Sequence, residues 1–132
     1  MRNARVRVRL DAEFIESVIL IKAIPDAFFG METNGYDHIT FQNNVPKSVG
    51  AMQIDNMKFG NCLYSVRITS NSVEILNAKG AVRSTQTVTL ALHEPAKAYS
   101  VYINGEKTQN YTVQNGVISV TVPFDLVRVT VK

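Results

Sequence analysis

The chain has 132 residues, of which 45% are hydrophobic and 19% are charged, and its formal net charge is +3. A chain of this length can bury roughly two thirds of the surface that it exposes when unfolded, so residues 1–132 are expected to form a single domain. The only cysteine, Cys62, excludes an internal disulfide framework and a cysteine-based zinc site. No apolar run reaches the ~20 residues of a membrane-spanning helix, so we predict no membrane partner.

Arginine and valine alternate in the opening segment, "RNARVRVRL". The alternation predicts a strand with Val6, Val8 and Leu10 on one face and arginines on the other. A row of arginines can bind nucleic-acid phosphates, but no aromatic residue is interleaved with these and the charge elsewhere is mixed. We therefore interpret the arginines as a solvated face that protects a sheet edge, and we predict no nucleic-acid partner. This opening is not that of a secretory signal peptide.

The next segment, "DAEFIES", brings together the carboxylates Asp11, Glu13 and Glu16. Glycoside hydrolysis uses paired carboxylates, but the two groups must face each other across a cleft. Neighbours on one turn do not, so we interpret the segment as a turn or distorted strand. The apolar, largely β-branched run that follows, Ser17 to Ile24, predicts a strand buried on both faces.

Two adjacent aromatic residues, Phe28 and Phe29, lie in the loop that follows Pro25. Two such rings in an irregular loop of a small domain are not easily both buried. We therefore expect at least one to be exposed, and both are candidates for docking on another surface. Further along, His38 follows a tyrosine and an aspartate, and a turn or capping role is favoured over a polar binding pocket.

Short alternating strands separated by Gly, Asn and Pro fill the rest of the chain. The strongest hairpin signals are Asn104-Gly105 and Asn115-Gly116, because a type I′ turn requires positive φ at both central residues. With no long helical pattern, the sequence predicts an all-β fold: an antiparallel, jelly-roll-like β-sandwich with short hairpins and little or no helix. The closing strand would turn three valines towards the core: Val127, Val129 and Val131.

Residues that suggest chemistry are few. His93 ends the strand "TVTLALHE", but no second ligand or nucleophile lies at a recognisable spacing, so we interpret it as a strand-end residue in a solvated turn. The chain has no nucleophile elbow, phosphate-binding loop or dinucleotide motif. We predict no catalytic residue, no metal site and no cofactor. A small stand-alone enzyme built on Asp11, Glu13 or His93 is the least favoured alternative.

A carbohydrate-binding module is the other alternative. Such modules stack sugar rings on exposed Trp or Tyr side chains, and this chain has no Trp. The candidate glycan contacts are Tyr99, Tyr102 and Tyr111, near the hairpins, together with the loop phenylalanines. Because Tyr99 and Tyr102 fall on opposite faces of one strand, they do not share a platform, and packing at the core or edge is favoured.

Three segments in order resemble a known family: "ILIKAIPDAFFG", "AMQIDNMKFGNCLYSVRITSNSVEI" and "SVYINGEKTQNYTVQNGVISVTVP", which together span Ile19 to Pro123. They are similar to the C-terminal β-sandwich accessory domain that follows the catalytic barrel in (α/α)6-barrel glycoside hydrolases of rhamnosidase, fucosidase or sugar-phosphorylase type. Heparinase-type polysaccharide lyases have similar sandwiches. Phe28-Phe29 stand where the family commonly has a Trp.

The resemblance implies a non-catalytic domain, because the catalytic carboxylates of the family lie in the barrel. It implies that the chain is part of a longer protein, a glycoside hydrolase, and that its partner is the (α/α)6-barrel catalytic domain of the same parent chain. Glycan is the second candidate partner. A periplasmic or secreted parent is compatible with the resemblance, and the location stays open.

Overall fold

The computed structural model describes residues 5–8, 27–33, 35, 37–46, 48–80 and 85–132, with the backbone alone for 5–8. The predicted turn at residues 11–16, with its three carboxylates, lies outside these ranges, and so does the predicted strand Ser17 to Ile24. Ala27 and Phe28 are the only described residues with helical backbone.

The described residues form twelve strands in two sheets. The strands are β1 (Arg5–Val8), β2 (Glu32–Thr33), β3 (His38–Gln42), β4 (Ala51–Phe59), β5 (Cys62–Thr69), β6 (Ser72–Lys79), β7 (Thr87–His93), β8 (Val101–Ile103), β9 (Glu106–Thr108), β10 (Thr112–Gln114), β11 (Val117–Pro123) and β12 (Val127–Val131).

One sheet has seven strands in the order β1-β4-β5-β6-β12-β8-β9, and the other has five in the order β10-β11-β7-β3-β2. The predicted all-β sandwich is confirmed. Two neighbouring pairs are parallel, however: β1 with β4, and β3 with β7. Strands β3 and β7 can run in the same direction because three strands of the other sheet, β4 to β6, separate them in the chain and supply the long crossover that parallel pairing needs.

The inward sides of both sheets contribute to one hydrophobic core. Tyr64 lies at its centre, with ring centroids 6.1 Å from Phe41 of the other sheet and 5.1 Å from Phe124. Cys62 is fully buried, as expected of a small hydrophobic side chain. The predicted inward valines of the last strand are also buried: Val127, Val129 and Val131.

Both predicted Asn-Gly hairpins are confirmed, joining β8 to β9 and β10 to β11. Asn104 and Asn115 have φ of 51° and 52°, and the following Gly105 and Gly116 have φ of 86° and 74°. These are the left-handed conformations that a type I′ turn requires. Register in this part of both sheets therefore follows from local turn chemistry.

Candidate functional site

The outward side of β3, β7 and β11 in the five-stranded sheet is lined mostly by polar, uncharged side chains, and we call it the Thr/His face; the exposed Glu32 of the edge strand β2 lies next to it, opposite Thr40. Alternation along the strands turns most apolar residues of β3, β7 and β11 inwards and leaves the polar side chains outside, together with Ala91, Val117 and Pro123. None of the outward positions on these three strands carries Asp, Glu, Lys or Arg. The Thr/His face consists of His38, Thr40, Gln42, Thr87, Thr89, His93, Ser119 and Thr121.

His38 is the centre of a hydroxyl network on this face. Its Nδ1 lies 2.7 Å from Thr87 Oγ1, and its Nε2 lies 3.1 Å from Thr89 Oγ1 and 3.4 Å from Thr40 Oγ1. Thr89 Oγ1 is in turn 2.7 Å from Thr121 Oγ1 on the next strand. A hydroxyl can donate or accept, so the threonines pair both ring nitrogens in either tautomer. The network thus ties β3, β7 and β11 together.

A hydroxyl next to an imidazole is also the pair that nucleophilic catalysis uses. In that chemistry the second ring nitrogen of the base is oriented by a further group, commonly a carboxylate. In this chain the second nitrogen of His38 contacts the hydroxyls of Thr89 and Thr40. The described arrangement is therefore a hydrogen-bond network in which hydroxyls contact both ring nitrogens of His38.

His93 anchors the other end of the face. It is the exposed last residue of β7, as predicted, and its Nε2 lies 2.7 Å from Asn44 Oδ1. The backbone N–H of His93 donates to Asn43 Oδ1 at 3.0 Å, and Gln42 Nε2 is 3.3 Å from the ring. Sequence reasoning missed these contacts because the partners lie about fifty positions earlier.

The two loop phenylalanines occupy different environments. Phe29 is fully buried, so the expectation that it could dock on another surface is wrong; Phe28 is half-buried against the core and keeps that role as a prediction. The cause is Gly30, whose φ of 50° folds the loop onto β3. There Gln42 N donates to Phe29 O at 2.7 Å and Asn44 N to Phe28 O at 3.0 Å. The backbone of Phe28 therefore lies beside the end of β3, and its ring packs against the core.

The three candidate tyrosines do not form one platform. Tyr99 and Tyr111 are half-buried and pack against the core. Tyr102 points outwards from the seven-stranded sheet, with Lys132 Nζ 5.3 Å from its ring centroid. Tyr99 and Tyr102 thus lie on opposite sides, as predicted from their spacing. A glycan contact by any of the three stays a prediction.

Tyr99 is fixed by a carboxylate. Its hydroxyl donates to Glu94 Oε1 at 2.8 Å, across the loop that leaves β7. This hydrogen bond, with smaller contributions from desolvation and from the negative charge of Glu94, raises the pKa of Tyr99 to about 12. The pair holds the loop after His93 in place and occupies one oxygen of Glu94.

The outward side of the seven-stranded sheet is different, and we call it the charged face: Arg67, Glu74, Lys107 and Arg128. Arg67, Glu74 and Arg128 lie directly opposite one another on β5, β6 and β12. Beside them, Glu74, Arg128 and the 54% exposed Leu126 line an open groove of about 330 Å³. A molecule that covered this face would have to remove water from several charges.

Within the described ranges, no three His, Cys, Asp or Glu side chains are grouped so that they could hold a metal ion. None of the helices in the same part of the chain is long and apolar enough to cross a membrane. The carboxylates Asp11, Glu13 and Glu16 lie outside the described residues. The side chains that the structure does bring together are those of the Thr/His face.

No protein-family model matches the chain, and no curated protein matches it significantly. Among solved structures, it is similar to a GH127 β-L-arabinofuranosidase from Geobacillus stearothermophilus T6, with 16% sequence identity and a TM-score of 0.46. The alignment covers 86% of this chain. The chain spans 18% of the length of that enzyme.

Proposed function

We propose that this chain is a non-catalytic accessory domain of a carbohydrate-active enzyme and that its Thr/His face packs against a helical-barrel catalytic domain of the same parent protein. The three-segment sequence resemblance supports the class of parent. The observation that carries the docking proposal is the composition of the Thr/His face: the outward positions of β3, β7 and β11 carry no Asp, Glu, Lys or Arg.

The cost of removing water favours this face as the interface. Covering an ion costs several kcal/mol unless it is paired, and Lys, Glu and Asp are depleted in the cores of protein interfaces. Covering a hydroxyl that is already hydrogen-bonded costs much less. The hydroxyls of Thr89 and Thr121 bond to each other and those around His38 bond to its ring, so they keep these partners when water leaves.

Phe28 is the proposed apolar anchor, since its backbone lies next to the residues that end this surface. It is half-buried, and its backbone pairs with Asn44, whose side chain contacts His93. Aromatic side chains are enriched among the residues that carry most of the binding energy in interfaces. The proposed interface therefore runs from Phe28 across His93 to the threonines around His38.

The alternative, a carbohydrate-binding module, has less support. Co-facial aromatic side chains would favour it, and Tyr102 faces away from Tyr99 and Tyr111. We propose weak or absent glycan affinity. Chemical-shift titration with oligosaccharides tests this, and saturable shifts clustered on these tyrosines would favour the binding module instead.

The docking proposal is tested by adding a charge to each sheet in the protein encoded by the complete reading frame. Thr121→Lys lies on the Thr/His face, and Thr69→Lys is its control on the seven-stranded sheet; each removes a threonine that bonds to a neighbouring hydroxyl. Calorimetry of the full-length protein should show that Thr121→Lys makes this domain unfold separately and earlier, whereas Thr69→Lys does not. A reading frame without a helical-barrel domain, or an equal effect of both variants, would refute the proposal.

The non-catalytic part is tested separately on the isolated chain. Neither aryl glycosides nor uronic-acid polysaccharides should be turned over, since the proposed chemistry belongs to the other domain. Turnover that Glu13→Gln abolishes would show that the carboxylate segment at residues 11–16 is catalytic and would overturn this part of the proposal.

A further inference from the structure

The two Asn-Gly hairpins have the same turn geometry and different surroundings. Asn104 is held by Arg128: its Oδ1 accepts from Arg128 N at 2.8 Å, and its own N–H donates to Arg128 O at 2.8 Å. Its strand, β8, is also paired on both sides, by β12 and β9. The turn is therefore fixed by side-chain and backbone contacts together.

Asn115 itself lacks such contacts among the described residues, and the support of its turn comes from the following Gly116, whose carbonyl accepts from Glu94 N at 2.8 Å. Asn115 is exposed, and within the described part of the chain its side-chain amide makes no hydrogen bond. Its strand, β10, has three residues, all exposed, and it lies at the edge of the five-stranded sheet, where it pairs with β11 alone. Short exposed edge strands open locally at low free-energy cost.

We propose that Asn115 is a site of spontaneous deamidation in the folded protein and that Asn104 is protected. In this reaction the backbone nitrogen of the following glycine attacks the Asn side-chain carbon Cγ. A new C–N bond closes a succinimide ring, the original C–N bond of the amide breaks, and ammonia leaves with the glycine N–H proton. Water then opens either C–N bond of the ring to give aspartate or isoaspartate. Water is the only other reactant.

The structure determines the rate through access to the attacking geometry. The glycine nitrogen must come within bonding distance of Cγ, so the Asn residue has to leave its left-handed conformation and its side chain has to rotate. Glycine places no side chain against the attack, and this is true of both turns. At Asn104, however, the same movement breaks both bonds to Arg128, so the reactive conformation is populated less often.

The product at Asn115 changes the margin of the Thr/His face. Gly116 O accepts from Glu94 N at 2.8 Å, next to His93, and Val117 lies opposite His93 in the sheet. Aspartate adds a negative charge there, and isoaspartate also lengthens the hairpin backbone by one carbon. The deamidation chemistry does not depend on the proposed docking function. Only an effect of the product on docking would rest on that proposed function.

Peptide mapping by mass spectrometry tests the proposal on one sample, because both sites are in the same molecule. After incubation of the folded chain in mildly alkaline buffer, the Asn115 peptide should convert to the deamidated mass several-fold faster than the Asn104 peptide. In concentrated urea the two rates should become similar, since both sites are then unfolded Asn-Gly pairs. In urea, where no left-handed turn has to be kept, Gly116→Ala should slow the reaction at Asn115, and Gly105→Ala should do the same at Asn104.

Equal rates in the folded chain, or faster reaction at Asn104, would overturn the proposal. A difference that persists unchanged in urea would also overturn it, because the cause would then be local sequence rather than the contacts of Arg128.

Discussion

The outward sides of the two sheets satisfy their polar groups in different ways. On the five-stranded sheet, threonine hydroxyls and the ring of His38 bond to one another across three strands. On the seven-stranded sheet, charges face one another, and strand β5 contains two buried polar atoms with no hydrogen-bond partner, Tyr64 OH on the inward side and Arg67 Nε. Beside the five-stranded sheet, one described side-chain atom is also buried without a hydrogen-bond partner: Oδ1 of Asp37, the residue before β3.

This difference determines which outward side a partner can cover at the lower free-energy cost of removing water. A network whose members bond to one another needs little from a partner, whereas a charged surface needs a partner with matching charges. The described part of the Thr/His face can thus be covered at a lower free-energy cost than the charged residues of the seven-stranded sheet. The contrast is local to the outward sides, since both inward sides share one core.

The shared core gives the largest expected effect. Phe29→Ala should lower the free energy of unfolding by about 3–5 kcal/mol, the usual cost of truncating a buried aromatic side chain, because Phe29 is fully buried. Phe28→Ala, one residue earlier and half-buried, should cost clearly less. Denaturant titration of the isolated chain measures both. Equal costs would show that the two rings share one environment and would remove Phe28 from the proposed interface.

Removing a hydroxyl group should change the free energy of unfolding in opposite directions at Tyr64 and at Thr89. Tyr64→Phe should raise the free energy of unfolding by about 1–3 kcal/mol, because it removes a buried hydroxyl that has no partner. Thr89→Val should lower it by about 0.5–1.5 kcal/mol, since Thr89 Oγ1 bonds to Thr121 and to His38. The same denaturant titration compares them. A destabilising Tyr64→Phe would mean that its hydroxyl has a partner, and a stabilising Thr89→Val would mean that the hydroxyl network does not stabilise the Thr/His face.

The sequence predicted the features that depend on local backbone chemistry. Asn104-Gly105 and Asn115-Gly116 encode positive φ directly, so both hairpins and their register were predictable. The alternation of valines in the last strand likewise predicted its inward side. The all-β sandwich was predicted and confirmed, whereas the parallel pairing of β3 with β7 was not foreseen, because it depends on a crossover through the other sheet.

The candidate site was less predictable. Alternation shows that Thr87 and Thr89 face outwards, but not that they meet His38, which lies 49 and 51 positions earlier. Phe29 was expected to be a docking candidate because nothing in the sequence shows that Gly30 takes a positive φ and folds the loop onto β3. Both failures concern contacts between segments that are distant in the chain or joined by an irregular turn.

The smallest expected effect is a dependence of stability on alkaline pH. The hydrogen bond to Glu94 raises the pKa of Tyr99 from its ordinary 10.0 to about 12, so the folded chain holds this proton more tightly than the unfolded chain. The contribution is therefore fully present below pH 10 and is lost as the pH rises through about 12. Burial, with a smaller effect of Cys62, raises the pKa of Tyr64 in the same direction.

Absorbance titration of tyrosinate in the folded chain, with denaturant titrations across the same pH range, measures this dependence. Tyr99→Phe should remove one late ionisation and flatten the fall in stability. Glu94→Gln should shift that ionisation to lower pH, because it removes the negative charge that opposes formation of tyrosinate. Tyr102→Phe, on the opposite side of the molecule, is the control and should leave the late ionisation in place. If Glu94→Gln left the ionisation of Tyr99 unchanged, the Glu94 hydrogen bond would not be its cause, and the loop after His93 would be held in another way.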